Sequence, residues 1–472
     1  MHFEDPYRPP VAELRPGLVP AFRSLSSYHW FVLVVAALGW MFDTMDQQLF
    51  NLARKPAITE LLRGPDGTPP TPQAVAEYGG YSTMIFMIGW AVGGLFFGVL
   101  GDRIGRARTM LWTILVYSAF TGLSALSVGV WDFAFYRFLT GLGVGGEFAV
   151  GVSLVAEVIP DRVRPYALGL VQAMSTVGNM LAAIIGMVLG HLEQTGAVGG
   201  AWRIMFVIGM VPALMAVVIR RRLKEPERWQ AATHADAEPG GVADPSTKAG
   251  SIADLFGDPE LRRNAIVGMI LGFSGVVGLW GIGFFLFDLI RPVFEADMRA
   301  HEVDPATIKG RLTFLVGLTS FFQNLGGFFG VYAFTMLTTR VGRKPAFAAS
   351  FLAAMVATAS TFWFIDSYDD LFWLIPLMGF SQLTLFGGYA IYFPELFPTR
   401  LRSTGTSFCY NVGRLVAAVG PLFLGLLTSR VYIGSGEIMA RRYAGVTMCA
   451  VFLIGLLALP FAPETRGKPL PE

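Results

Sequence analysis

Two carboxylates in an apolar run are the residues best placed to do chemistry in this chain. In GWMFDTMDQQLF, residues 39–50, Asp43 and Asp46 lie one helical turn apart, within a hydrophobic stretch that begins at Trp30. A bare carboxylate surrounded by hydrocarbon costs roughly 2.5–3.5 kcal/mol on insertion scales. Such a group must be paired, or it must carry a proton, and reversible protonation is the chemistry a buried acid offers. Further charges inside apolar segments include Arg137, Glu147 and Arg414.

The elements that position these residues follow from composition. The chain has 472 residues, 53% of them hydrophobic and 15% charged, whereas soluble domains average about 25% charged. Apolar segments of about 20 residues recur near 30–50, 79–101, 110–129, 132–156, 165–190, 201–220, 264–290, 312–338, 345–365, 370–394, 404–428 and 443–461. Each is long enough to span a bilayer as a helix. With both termini in the cytoplasm, inner loops hold about 23 Lys and Arg and outer loops about 10, the asymmetry of the positive-inside rule. This orientation predicts a multi-pass protein of the inner or plasma membrane, in contact with lipid. The polar, Pro-rich start (DPYRPP) does not read as a signal peptide. Cys409 and Cys449 fall inside predicted spans and read as packing thiols.

The chain also repeats itself. GDRIGRART at 101–109 pairs with TTRVGRKPA at 338–346, and AEVIPDRVRP at 156–165 with PELFPTRLRS at 394–403. The offsets, 237 and 238, are nearly equal, which indicates a duplicated six-helix unit. The predicted organisation is a tail at 1–28, a six-helix half at 29–220, a central loop at 221–263, a second half at 264–461 and a tail at 462–472. The fold class is all-α integral membrane protein, with twelve spanning helices in two pseudo-symmetric halves. Parallel halves of this kind hold a substrate between them near mid-membrane.

Those motifs carry a resemblance to the major facilitator superfamily over nearly the whole chain. GVLGDRIGRAR at 98–108 matches its loop signature between helices two and three. YRFLTGLGVGGEFAVGVSLVAEVIPDRVRP at 136–165 is similar to the fourth-helix block of its metabolite, organic-acid and sugar proton symporters, and KEPERW at 224–229 resembles a sugar-porter motif after helix six. The Gln-rich sugar-binding pattern of helix seven is replaced by GLWGIGFFLFDLI at 278–290. The resemblance implies that Asp102, Arg103, Arg106, Glu157 and Arg164, with Arg340, Arg343, Glu395 and Arg402 in the second half, control the inner gate. Bonds between Arg106 and Glu157 tie helix ends and break on opening. Thr339 stands where Asp102 would recur, which predicts a weaker second latch. The alternative is positive-inside anchoring alone.

Charges present in only one half are not required by the duplicated architecture. At about 1.5 Å per residue, Asp43 lies about 20 Å above the inner face and Arg137 about 21 Å. Arg137 can satisfy one aspartate, leaving the other beside a like charge in a low dielectric. In related symporters the aspartate matching Asp43 exchanges partnership with the arginine matching Arg137. Asp43 is therefore read as the proton carrier and Asp46 as its tuner or a substrate contact; a static ion pair is the competing reading. Glu147 is a second protonation site or a structural acceptor.

Arg414, near the midplane, invites an anionic partner, and a substrate carboxylate is one choice. Gln172, Asn179, Gln323, Asn324, Gln382 and Asn411 lie at similar depths as ligand contacts or interhelical glue. Trp90, Trp280, Phe284, Phe285 and Tyr389 are candidates for an aromatic wall, with no substrate assigned.

GLGVGG at 141–146 lies mid-span without a preceding strand or a following Lys-Ser/Thr, so helix packing explains it better than phosphate binding. No spacing suggests a metal site, a cofactor or an enzyme's nucleophile, and nothing suggests nucleic acid. The reading is a monomeric secondary transporter that moves a small polar metabolite with protons, an organic acid in preference to a sugar. Proton-antiport efflux of drugs or metabolites, and a nutrient sensor without flux, are the alternatives.

Overall fold

The computed structural model describes residues 22–23, 25–64, 66–235, 249–417 and 420–472. Most of the amino-terminal tail and the middle of the central loop therefore lie outside the described residues. Twelve helical passes follow: α1 (Ser27–Leu61), α2 (Pro72–Ile104), α3 (Arg106–Ser124), α4 (Val130–Val158), α5 (Arg164–Gln194) and α6 (Ala201–Ile208, resuming at Ala213–Arg222). The second six are α7 (Pro259–Val276, resuming at Gly283–Ala300), α8 (Pro305–Val341), α9 (Arg343–Phe364), α10 (Leu371–Tyr392), α11 (Arg402–Ser407, resuming at Gly413–Ala417 and Gly420–Leu426) and α12 (Glu437–Met448, resuming at Val451–Ala458). Nine stretches among the described residues are long and apolar enough on their own to cross a membrane. The fold is an all-α membrane bundle.

Helix starts follow local chemistry. Ser26 caps α1 through His29 N–H, and Thr71 caps α2 through Ala74 N–H ahead of a proline in the first turn. Glycines set the closest helix contacts. A side chain on Gly89 or Gly93 of α2 would strike the Phe138 or Leu142 carbonyl of α4, and one on Gly141 or Gly145 of α4 would strike the Phe86 or Trp90 carbonyl of α2. The second half repeats this. Gly326 and Gly330 of α8 lie against the Pro376 and Phe380 carbonyls of α10, and Gly379 of α10 lies against that of Gln323. GLGVGG is a packing surface, as backbone approach requires small residues there.

Two mid-membrane irregularities position the centre. α7 widens into a π turn at Val277–Ile282, and α11 does so at Phe408–Val412. Such turns add a residue to the helical circuit and re-aim the side chains near it, often at functional sites. Trp280 lies within the first turn, and Arg414 follows the second.

Candidate functional site

A narrow, partly open cleft lies between the halves. Gln47, Phe50 and Asn51 of α1, Thr83, Phe86, Met87 and Trp90 of α2, Trp280 of α7 and Arg414 of α11 line it. Arg414 is only 4% exposed. Its guanidinium carbon lies 3.6 Å from the Trp90 ring centre, 4.4 Å from Tyr410 and 5.9 Å from Trp280. Aromatic faces thus stabilise the cation, while its Nε and Nη1 make no hydrogen bond among the described residues. Trp90 and Trp280 meet edge-to-face at 6.1 Å across the two halves. Phe284 and Phe285 fall among residues whose side chains are not described, and Tyr389 instead packs between Phe347 and Phe393 while donating to the Leu271 carbonyl.

The acids behind this cleft are fully buried but differently partnered. Arg137 pairs with Asp46 at 3.7 Å, and Asp43 is not its partner. The reason is angular: Arg137 is drawn toward α3 and α6. It donates to Ser124 Oγ at 2.8 Å and Thr140 Oγ1 at 3.0 Å, and lies over the Phe206 and Phe50 rings. Asp46 turns toward that side, next to Gly209 of α6. Asp43 shares its face of α1 with Gly39 and Gln47, one turn away in each direction. Its Oδ2 accepts from Gln47 Nε2 at 3.2 Å and its Oδ1 has no hydrogen-bond partner among the described residues. Glu147 reaches toward Gly39, accepts from Thr113 Oγ1 at 2.5 Å and leaves Oε1 without a hydrogen bond.

The other polar residues expected near a ligand make contacts between or within helices. Asn179 donates to Asn324 Oδ1 at 2.9 Å across the halves, and Asn324 to the Ser320 carbonyl. Gln323 donates to Gln382, which in turn donates to Thr358 Oγ1 and the Gly278 carbonyl. Gln172 contacts Ser175, and Asn411 bridges to the Gly145 carbonyl and to Ser407. In apolar surroundings an amide must find partners, and of the seven residues expected to bind substrate only Arg414 faces the cleft. Cys409 and Cys449 are both buried free thiols.

The face bearing the repeated motifs is closed. Arg106 donates to Glu157 Oε1 at 2.9 Å and to the Thr399 carbonyl of the other half at 2.7 Å, and it lies 2.9 Å from Asp102. Asp102 accepts N–H bonds from Ser403 and Thr404, at 3.2 and 2.8 Å, plus the Thr404 hydroxyl at 2.6 Å. Arg402 crosses to Glu157 at 2.9 Å. In the second half Arg343 grips Glu395 at 2.7 Å; in the first, Arg164 holds the Ala156 carbonyl and Asp161. Arg103 and Arg340 lie in the last turns of α2 and α8.

With this geometry in view, the comparisons with known proteins are decisive. The family model "Major Facilitator Superfamily" matches residues 36–421. The chain belongs to the Major Facilitator Superfamily. It is 30% identical over 431 residues to the "Probable 4-methylmuconolactone transporter" of Cupriavidus pinatubonensis, covering 91% of this chain and 89% of that one. It is 28% identical to the "Cis,cis-muconate transport protein" of Acinetobacter baylyi, covering 81% and 84%. The solved proton:xylose symporter XylE, bound to 6-bromo-6-deoxy-D-glucose, superposes with a TM-score of 0.72 at 18% identity, over 94% of this chain and 98% of that one. The chain is a superfamily transporter, which moves solutes rather than transforming them.

In this superfamily member, sequence reasoning missed two caps. Glu225, in the KEPERW stretch, accepts the Ala107 and Arg108 N–H groups at the start of α3, both at 3.0 Å. Glu464 does the same for Arg343 and Lys344 at the start of α9, at 2.9 and 3.0 Å. A carboxylate here meets the positive end of the helix dipole. Gly105 and Gly342, with φ of 106° and 100°, leave room that a side chain would take from these carboxylates. The signal was available: Glu225 and Glu464 each adjoin a proline and are offset by 239 positions, close to the other repeats. The cleft-lining Gln47 and Asn51 were also passed over, since only charges and deeper amides were weighed.

Proposed function

We propose that this chain is a proton-coupled symporter for a small organic acid, working by alternating access. One observation carries the reading. A buried guanidinium with two unused donors faces the cleft between the halves, and buried acids with unpaired oxygens stand directly behind it. An unpaired cation in a low dielectric is costly, and a bidentate carboxylate is the partner that suits the arginine fork. The cleft offers few neutral polar groups, Gln47, Asn51 and Thr83, against several rings. That lining suits a flat, unsaturated carboxylate better than a sugar. The relatives named for 4-methylmuconolactone and cis,cis-muconate point the same way.

In this reading the closed motif face is cytoplasmic, as are both tails and the central loop, and the chain works as a monomer in a cell membrane. Asp43 and Asp46, with Arg137 and Glu147, carry the proton, and Arg414 holds the substrate. The latch residues keep the inner gate shut until loading is complete.

The test is uptake of cis,cis-muconate, nicotinate and benzoate into proteoliposomes under an imposed proton gradient. Wild type accumulates at least one of them only when the outside is acidic. Arg414→Gln abolishes uptake, and Asp43→Asn retains exchange but loses accumulation. Accumulation that ignores the proton gradient would refute the coupling; unimpaired carboxylate uptake by Arg414→Gln would refute the site.

A further inference from the structure

Gln47 stands between the cleft and the buried acid. Its side chain lines the cleft with Arg414, is 4% exposed, and makes a single hydrogen bond among the described residues, Nε2 to Asp43 Oδ2 at 3.2 Å. An ionised carboxylate only accepts, so the amide must present its NH2 to Asp43. The Gln47 carbonyl is then the end left for other partners, and a carbonyl dipole repels a carboxylate lying on Arg414. A protonated Asp43 has an O–H to donate. The stable arrangement then reverses: the O–H bonds the Gln47 carbonyl, and the NH2 is freed toward the cleft. A primary amide turns over about its last torsion with no change of shape.

We propose that Gln47 is the coupling residue: its amide turns over when Asp43 takes up a proton, and the turned amide donates to a carboxylate held by Arg414. The proton comes from water entering the cleft and leaves to water once the opposite face opens. This inference rests on the reading of the cleft as a carboxylate site. Gln47 is a positioning residue, linking two sites by a hydrogen bond whose direction depends on which proton is present.

The charged and titratable groups around Asp43 are consistent with one exchangeable proton. Asp46 lies on its own helix, paired with Arg137 of α4. Glu147 approaches from α4, Tyr117 from α3, and Arg414 and Tyr410 from α11. Two acids disfavour a second negative charge, and Arg414 favours it. A carboxylate bound to Arg414 screens that support, so ligand and proton bind together. Linkage makes the effect reciprocal.

The experiment follows cis,cis-muconate and nicotinate binding to the purified protein by the fluorescence of its tryptophans, from pH 5.5 to 8.5. If ligand binds only when Asp43 is protonated, the wild-type dissociation constant rises up to about tenfold per pH unit above the transition. Gln47→Leu is expected to bind weakly at low pH and to vary less than about threefold across the range. Asp43→Asn keeps a donor toward the Gln47 carbonyl, so it should bind at pH 8.5 as wild type does at pH 5.5. The double variant Asp43→Asn with Gln47→Leu should lose that gain.

Melting curves at each pH identify any variant that has not folded; Gln47→Asn, which keeps the amide on a shorter stem, then serves as the second probe, expected to flatten the pH profile in the same way. A full wild-type slope in Gln47→Leu, or tight binding by the double variant, overturns the proposal while leaving the carboxylate site standing. Binding of both probes unchanged in Arg414→Gln overturns the site, and the proposal with it.

Discussion

The two copies of the loop motif are built from nearly the same residues yet do different things. In the first, Asp102 reaches across to the start of α11, Arg106 to the Thr399 carbonyl, and Glu157 receives Arg402 from the other half. In the second, the counterparts Thr339, Arg343 and Glu395 bond within their own half. Thr339 donates to the Thr335 and Met336 carbonyls one turn back, Arg343 to the Thr338 carbonyl, and Glu395 takes the Thr465 hydroxyl in place of an opposing arginine. The loss is two-sided. The acceptor is gone because Thr339 replaces Asp102; on the donor side Pro165 stands where Ser403 would recur, and Tyr166, its N–H already bonded to the Val163 carbonyl, stands where Thr404 would. Proline has no N–H to give. A duplicated scaffold has thus placed the acidic acceptors of its cross-half bonds, Asp102 and Glu157, in the first copy, so closure depends on them.

The largest effect should come from breaking the crossing copy. Asp102→Asn removes a buried charge that pairs with Arg106 and accepts three bonds from α11, and is expected to shift the closed face toward opening by about 2–3 kcal/mol. Spin-label distances across that face would show the shift, and an unchanged distribution would mean these bonds are not a latch. Next in size is a matched pair of substitutions. Arg402→Lys loses the fork that joins Pro394, Thr399 and Glu157, and should shift the same distances by about 1–2 kcal/mol. Arg164→Lys breaks only local bonds, so the distances should hardly move.

A third change tries to make the second copy cross. Thr339→Asp alone faces Pro165, which has no N–H, and Tyr166, whose N–H is bonded to Val163, and should leave the distances nearly unchanged. Combined with Pro165→Ser it should favour closure by about 1 kcal/mol. Equal effects for the single and double variants would contradict the two-sided account.

The smallest effect concerns the caps, which both copies share. Partial burial works against the Glu464 carboxylate, but N–H bonds from Arg343, Lys344 and Arg466 outweigh it and hold the carboxyl below its ordinary range. A depressed acid contributes stability that is present above its unfolded value and lost as pH falls through its folded one. Because Glu464 is only partly buried, solvent screening limits this to under about 1 kcal/mol. Melting temperature should fall slightly more for wild type than for Glu464→Gln between about pH 5 and pH 3. Identical acid profiles would show that the cap contributes nothing through its charge.

Much of the fold was legible because membrane helices announce themselves. Long apolar runs, a repeat offset shared by two motifs and glycines at matched positions are properties of the chain order itself. The pairing of Arg106 with Glu157 was legible for the same reason, since it follows from the motif. The buried site was legible only as a set of residues. Depth along a helix is arithmetic, so an aspartate of α1 and Arg137 could be brought near one level, but rotation about the helix axis depends on the neighbours. Ser124, Phe206 and Gly209 sit on helices far away in sequence, and they turn Arg137 toward Asp46. The amides stayed open between two roles for a related reason: whether Gln382 meets a ligand or Thr358 depends on what stands opposite.

Order along the chain thus determined that this is a twelve-pass transporter with intramembrane charges that the repeat does not duplicate, because hydrophobicity and repetition are local and additive. Tertiary packing decided which acid takes the arginine, which cation faces the cleft and which copy of the motif spans the halves. Those outcomes turn on ångström-scale contacts between helices that no single segment encodes.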